Sequence, residues 1–509
     1  MTNRMPDRTS NHVAYLMKLL TAGTLLAVVV LAASALLVFG DGDSGPQVGK
    51  SPIASAAEVS SQPGPYRTKP NFDPPRMVVK KKAPGTSNGK ILIGSKEAGA
   101  GIYSTGGEPI WFRPGVIMDF RVQRYRGKPV LTWYQKATKG SGLKRSTYII
   151  ANRNFRIIKK VRPGNGLDPD SHEFRLTNRG TALVSAYRTR PGFNLSRYGL
   201  GTNAPVLESV AQEVDIRTGR VIWQWNSLNH VPVRDTYAER VRRPGAAFDY
   251  FHINTVAEAR DGNILISGRS TNAMYKVDRG NGRVIWTLGG RSSDFRMKQG
   301  AFFSSQHDTE QISKSRFSLF DNGGSPVATP LRDQSRGLVL DLNFKKKTAR
   351  VHREFFNPAK PLATQQANME RLPNGNFLVG WGGVPLISEH TRNGKLLYDV
   401  EFEGINSFYR AYRQNWSGIP KGKVAMVAER VEPGTTRLWV SWNGDSRVRK
   451  WRVAAGNSKR SLKNIAIRKR DGFETAANVP SSATWFKVAG LDSKGRKIGS
   501  SAIRKVGKG

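Results

Sequence analysis

Four stretches of the chain can be laid over one another, and this self-similarity limits the available folds more than any other feature. The first runs from His172-Glu173-Phe174 through the turn Asn178-Arg179-Gly180 to Ala182-Leu183-Val184-Ser185. The second runs from His252-Ile253-Asn254 through Asp261-Gly262-Asn263 to Ile264-Leu265-Ile266-Ser267. The third runs from His307-Asp308 to Phe317-Ser318-Leu319-Phe320, and the fourth from Gln366-Ala367-Asn368 through Pro373-Asn374-Gly375 to Phe377-Leu378-Val379-Gly380. Each reads as a strand, a tight turn and a second strand. A second hairpin recurs downstream: Val214-Asp215-Ile216-Arg217-Thr218-Gly219-Arg220-Val221-Ile222-Trp223 matches Val277-Asp278-Arg279-Gly280-Asn281-Gly282-Arg283-Val284-Ile285-Trp286. The unit therefore has about four strands. One such unit cannot bury both faces, so neighbours must stack around an axis, which predicts a β-propeller. Six units are counted, near 88–115, 127–166, 171–235, 250–293, 305–358 and 365–403.

The ends of the chain read differently. Residues 19–40 carry no charge and are mostly Leu, Val and Ala, about the ~20 residues a spanning helix needs. Arg4, Arg8 and Lys18 precede them, and Asp41 and Asp43 follow. This charge asymmetry predicts a transmembrane signal-anchor with residues 1–18 in the cytoplasm and the rest outside; a cleaved signal peptide is the alternative. Residues 41–84 read as a flexible linker and 85–428 as the propeller. Alternating strands such as Leu438-Trp439-Val440-Ser441-Trp442 and Trp485-Phe486-Lys487-Val488 predict a small immunoglobulin- or fibronectin-like β-sandwich over 429–509. The expected fold class is all-β with one N-terminal helix.

Lys and Arg total 81 against 38 Asp and Glu, a formal charge of +43. The basic residues are dispersed rather than gathered on one element, so no specific nucleic-acid partner is expected. A cationic surface suits anionic lipid, cell-wall polymer or an anionic small substrate. The absence of cysteine excludes disulfides and thiolate chemistry.

There are only seven histidines, and three of them, His172, His252 and His307, begin superimposable strands. The innermost strand of each propeller unit lines the axis, so equivalent positions converge on one central region. Imidazoles gathered there suit acid–base work, nucleophilic capture or oxyanion binding. A purely structural role, tying units together, is the competing reading, and no metal-ligand spacing is recognisable. Glu173, Asn254, Asp308 and, in the fourth copy, Asn368 are the polar companions. Asn322, Arg336, Arg410 and Arg413 are further substrate-holding candidates, the arginines as bidentate anion clamps.

Together these motifs resemble the arylsulfotransferase family, in the branch widespread among actinobacteria and fungi. The resemblance rests on Asp170-Ser171-His172-Glu173-Phe174, Phe251-His252-Ile253-Asn254, Trp286-Thr287-Leu288-Gly289-Gly290, Gln306-His307-Asp308, Leu319-Phe320-Asp321-Asn322-Gly323, Ser335-Arg336, Leu372-Pro373-Asn374-Gly375-Asn376 and Tyr409-Arg410-Ala411-Tyr412-Arg413, in family order. It implies a six-bladed propeller that transfers a sulfuryl group from an aryl sulfate to a phenol without a cofactor. By match, His252 and His307 would hold sulfate or act as acid or base, and Arg336 would clamp it. In the enterobacterial branch a histidine after a late Gly-Gly pair is transiently sulfated. Here that stretch reads Gly382-Gly383-Val384-Pro385-Leu386, without histidine. Either another histidine is the nucleophile or the chemistry differs. Two alternatives stay open: a propeller module binding an anionic glycan or wall polymer, and, because Thr-Gly-Arg-Val-Ile-Trp is similar to quinone-binding propellers, a quinoprotein dehydrogenase.

Overall fold

Asn-Gly, Asp-Gly and Thr-Gly turns cut the chain into short strands, and hydrogen bonding gathers these into successive antiparallel meanders. A computed structural model describes residues 66–139, 141 and 143–508. The expected span at 19–40, the tail before it and the linker up to residue 65 lie outside the described residues. Among the described residues no helix is long and apolar enough to cross a membrane.

Among the described residues six four-stranded meanders follow one another, and the fifth and sixth sheets each carry a further strand on the outer edge. The second has Ile117–Tyr125 as its inner strand, the third Asp168–Leu176, the fourth Ile253–Glu258, the fifth His307–Gln311 and the sixth Asn368–Arg371. The first is composite: Lys90–Gly94, Gly99–Tyr103 and Pro109–Pro114 are joined on the inside by Ala411–Gln414, from the far end of the repeat region. Each inner strand touches the next, and Ala411–Gln414 touches both Ile117–Tyr125 and Asn368–Arg371, so the ring closes in a propeller-like arrangement.

Each junction between neighbouring sheets holds its own apolar cluster. Ile264, Ile266 and Phe251 pack with Trp225 between the third and fourth sheets, and Leu265 packs with Leu319 and Leu338 between the fourth and fifth. Adjacent residues of one strand thus enter different clusters. That is why Ile264-Leu265-Ile266 is a continuous apolar run rather than an alternating one. All three are fully buried, each contributing about 1.5–3 kcal/mol.

Three boundaries differ from those expected. The second unit begins at Ile117, not near 127; its inner strand was hidden because Asp119 and Arg121, both buried, interrupt the apolar pattern. Arg76–Lys82, assigned to the linker, is a strand on the outer edge of the sixth sheet, paired with Leu396–Glu403. Its charged side chains face solvent, as an edge strand tolerates. The C-terminal sandwich begins with the strand Ala425–Glu432, slightly before 429. Its two sheets enclose Trp442, Trp451 and Phe486. It docks on the first sheet, where the Asn443 amide both accepts from the Phe112 N–H and donates to its carbonyl, each at 3.1 Å.

Candidate functional site

Each meander from the second to the sixth enters at its inner edge, so their inner strands run the same way and begin at the same end of the ring. His172 lies at the middle of its strand, where the pairing with the next strand is irregular, His252 immediately precedes a strand and His307 opens one. The fold therefore brings the three predicted histidines to one mouth. The His172 and His252 rings meet edge-to-face at 4.7 Å. Tyr187 lies 6.3 Å from His172 and 6.0 Å from His252, and Tyr409 lies 5.8 Å from His172. His252 is held at φ +53°, a region non-glycine residues rarely adopt, beside an irregularity in strand register between Ile253 and Thr255.

The three rings are oriented by one device. His172 Nδ1 lies 2.6 Å from an Asp170 carboxylate oxygen, which also accepts from Ser185 Oγ. His252 Nδ1 bonds the carboxylate of Asp249. His307 Nδ1 lies 2.8 Å from Asn322 Oδ1 and 3.1 Å from the Ser305 carbonyl. The orientation of the Asn322 amide is fixed, because its Nδ2 donates to the carbonyls of Ala363 and Gln366. Every partner of Nδ1 is an acceptor, so Nδ1 carries the proton in each ring and Nε2 presents a lone pair. Among the described residues none of these Nε2 atoms has a hydrogen-bond partner. His390 contrasts with them: its Nε2 bonds Ser388 Oγ inside the sixth sheet. His230 stacks on Trp225 and also lies away from the site.

The site is electrostatically biased toward neutral rings. Burial, with Arg269 nearby, pushes His252 down to about 4 despite Asp249. Burial likewise holds His307 well below the ordinary histidine range. Arg269 is itself buried, 3.8 Å from the Asp249 carboxylate, and its Nε has no partner among the described residues. The Tyr187 hydroxyl and Asp249 Oδ1 are also without one. Neutral imidazoles, an open guanidinium and an open phenol can accept an anionic group, attack it and move protons around it.

The other predicted residues divide into two groups. Asn322 belongs to the site by orienting His307. Glu173, Asp308 and Arg410 lie deeper along the axis, in a buried charged plug. Arg410 is fully buried, with Nη1 3.2 Å from both Asp119 and Glu173, and Nη2 donates to the Asn254 carbonyl. Burial opposes ionisation of Glu173, but Arg410, Arg175 and Arg121 together hold it well below the usual carboxylate range.

Asn254 and Asn368 stitch sheets together. Asn254 Nδ2 donates to the Gln306 carbonyl at 3.0 Å, and the Asn368 amide pairs with both backbone groups of Ala411 at 2.9 and 2.8 Å. Asp308 also accepts from the Met369 N–H. Arg336 is not placed as a clamp. Its guanidinium is occupied by Asp321 at 2.8 Å, by Glu354 and by the carbonyls of Gly300 and Phe302. Arg413 is buried against Glu389 and the Ser87 carbonyl, between the first and sixth sheets. Both are structural ion pairs: Arg336 is paired within its own sheet, and Arg413 is paired across two sheets.

Asp170 entered the sequence reading only as part of a motif, and Asp249, Arg269, Tyr187 and Tyr409 were missed as site residues. A usable signal existed for two of them: Asp249 lies three residues before His252, and Arg269 follows the second strand of the same repeat.

A family model described as arylsulfotransferase (ASST) matches residues 121–403, more than half of the chain and all three histidines. The chain belongs to the arylsulfotransferase family. No curated protein matches it. Solved structures similar to it include a protein of unknown function from Bacteroides caccae, at 13% identity and TM-score 0.39, covering 64% of this chain and 98% of that one. An inactive variant of virginiamycin B lyase from Staphylococcus aureus, bound to quinupristin, aligns at 9% identity and TM-score 0.29 over 81% and 96% of the two chains.

Proposed function

We propose that this member of the family is a six-bladed propeller that transfers a sulfuryl group from an aryl sulfate to a phenol at the three-histidine mouth. The observation that carries the reading is the common orientation of the rings, each with Nδ1 bound to an acceptor and Nε2 without a partner among the described residues. His252 is the nucleophile. Asp249 keeps its proton on Nδ1 and stabilises the cation that forms when Nε2 attacks sulfur. Arg269 faces the sulfate charge. As the N–S bond forms and the S–O bond to the aryl group breaks, the aryl group leaves as its oxide with the electron pair and takes its proton from water. In the second half the phenol attacks the same sulfur, its proton passes to the Nε2 lone pair of His172, backed by Asp170, and the N–S bond breaks to return the lone pair to His252. His307, whose Nε2 lone pair is likewise free, is the second acceptor for that proton.

This reading replaces the histidine absent after Gly382-Gly383 with one from the fourth sheet. It needs no bound cofactor for its steps. We also propose that residues 19–40 anchor the chain with the ring outside the membrane, on the hydropathy and charge asymmetry alone.

The test is to mix the protein with an aryl sulfate, quench without acceptor and map the modified peptide by mass spectrometry. The proposal predicts one sulfuryl adduct on His252, discharged by added phenol and absent in His252→Ala. An adduct on another residue would reassign the nucleophile. Turnover without any adduct would replace the two-step route with direct transfer.

A further inference from the structure

The far end of the axis carries a second site. Residues downstream of the histidines on the inner strands line a cleft of about 640 Å³ on the other side of the Arg410–Glu173 plug. Five arginines line it, Arg121, Arg124, Arg175, Arg260 and Arg371, against the carboxylates of Asp308, Glu310 and Glu370. The positive excess is therefore local to the cleft and not only a property of the whole chain.

Arg175 sits at its inner part, its side chain 19% exposed. Nη1 bonds Glu310, while Nε and Nη2 have no hydrogen-bond partner among the described residues. An inward-lying guanidinium with two open donors is costly unless something accepts from it. Glu173 Oε2 lies 3.5 Å and Asp308 Oδ1 3.9 Å from Nη2, both too far for a good bond. Arg124, Arg260 and Arg371 are exposed around the opening. Glu370 accepts from the Arg413 N–H and Gln414 Nε2, and burial pushes its carboxyl up to about 8. That lowers the negative charge an anion would meet.

The remaining wall holds the carboxamides of Gln311 and Gln414, each of which makes one bond through nitrogen and one through oxygen and keeps one N–H and one lone pair; Gln123 has both amide hydrogens engaged. Guanidiniums suit an oxyanion, and amides and carboxyls suit hydroxyl groups. Aromatic surface, which an aryl ring would require, is limited to Tyr412. We infer that this cleft binds an anionic saccharide, its sulfate or phosphate ester on Arg175 and the rim arginines and its hydroxyls on the carboxamides. The buried plug separates it from the histidine mouth, so the two ligands bind independently.

Calorimetric titration of the full chain with glucose 6-sulfate and glucose 6-phosphate tests this. Binding is expected, with neither glucose nor inorganic sulfate alone matching it. Reversing two exposed rim charges, Arg260→Glu with Arg371→Glu, should weaken binding by about tenfold or more, as loss of charge-assisted bonds does. Because both side chains are exposed, the variant should melt as the parent does. Arg350→Glu, on an exposed side chain of the fifth sheet's outer strand, makes half that change of charge elsewhere and should leave affinity unchanged. So should His252→Ala. No binding of either sugar ester, or equal weakening by Arg350→Glu, would overturn the inference. Equal binding of inorganic sulfate would overturn its saccharide part, and loss of binding in His252→Ala would move the ligand to the histidine mouth.

Discussion

Replacing Asp249 by asparagine isolates the contribution of its charge. The carboxylate accepts from His252 Nδ1, and Arg269 Nη2 lies 3.8 Å from the same oxygen. An amide of the same shape has one oxygen and one NH2. Arg269 and the ring meet the same oxygen, so the amide oxygen takes that place, still accepts from Nδ1 and leaves the lone pair on Nε2. What is lost is the charge that stabilises the imidazolium formed as Nε2 attacks sulfur. A unit charge about 4 Å away is worth roughly 4 kcal/mol at an effective dielectric of about 20, or about 10³ in kcat. Volume and hydrogen bonding are nearly conserved, so stability should change by less than about 1 kcal/mol. The assay is acceptor-dependent release of nitrophenolate from 4-nitrophenyl sulfate by folded Asp249→Asn. A fall in kcat of about two to three orders supports the reasoning. A fall below about tenfold, or one confined to KM, would refute it, since the Asp249 charge would then not be needed.

Three further outcomes follow from the same geometry. Arg410→Met leaves Asp119 and Glu173 short of a partner in a site with no exposure and should cost about 3–5 kcal/mol in chemical denaturation. Adding Glu173→Gln should recover part of that loss, whereas strictly additive effects would show that the groups do not interact. Asn368→Ala removes both hydrogen bonds that tie the sixth sheet to Ala411 and should cost about 2–3 kcal/mol. Hydrogen exchange should then accelerate first in Ala411–Gln414; acceleration spread evenly over the ring would contradict its closing role. His252 titrates near 4 folded and near 6.5 unfolded, so the unfolded chain binds the extra proton between those values. Stability must therefore fall as pH drops from about 6.5 to 4, by on the order of 1–3 kcal/mol, and His252→Gln should flatten that slope.

The ring was legible because its cause is local. Turn residues and apolar triplets recur with each unit, and Ile264-Leu265-Ile266 or Leu338-Val339-Leu340 must be buried on both faces. The histidines were legible for the same reason, since a repeat places equivalent residues at equivalent heights. Charged interiors were not. Ile117–Tyr125 carries Asp119 and Arg121 where an apolar pattern is expected, and these are tolerable only because Glu173, Arg410 and Tyr412 arrive from other sheets. Arg410 and Arg413 look like free cations in sequence because their partners lie on other sheets, whereas Arg336 is paired within its own sheet, opposite Asp321 and beside Glu354. Arg76–Lys82 reads as a linker because an edge strand needs only one buried row. Arg269 and Asp249 lie in connecting segments, where the repeat no longer gives alignment.

The most direct test of the histidine mouth is a comparison of nitrophenolate release among the intact protein, His172→Ala, His252→Ala, His307→Ala and the rim variant Arg260→Glu with Arg371→Glu. Phenol-dependent release should occur in the intact protein, fall by orders of magnitude in His252→Ala, fall clearly in the other two histidine variants and persist in the rim variant. Absence of release from folded protein, or release indifferent to all three histidines, would contradict sulfuryl transfer at this site.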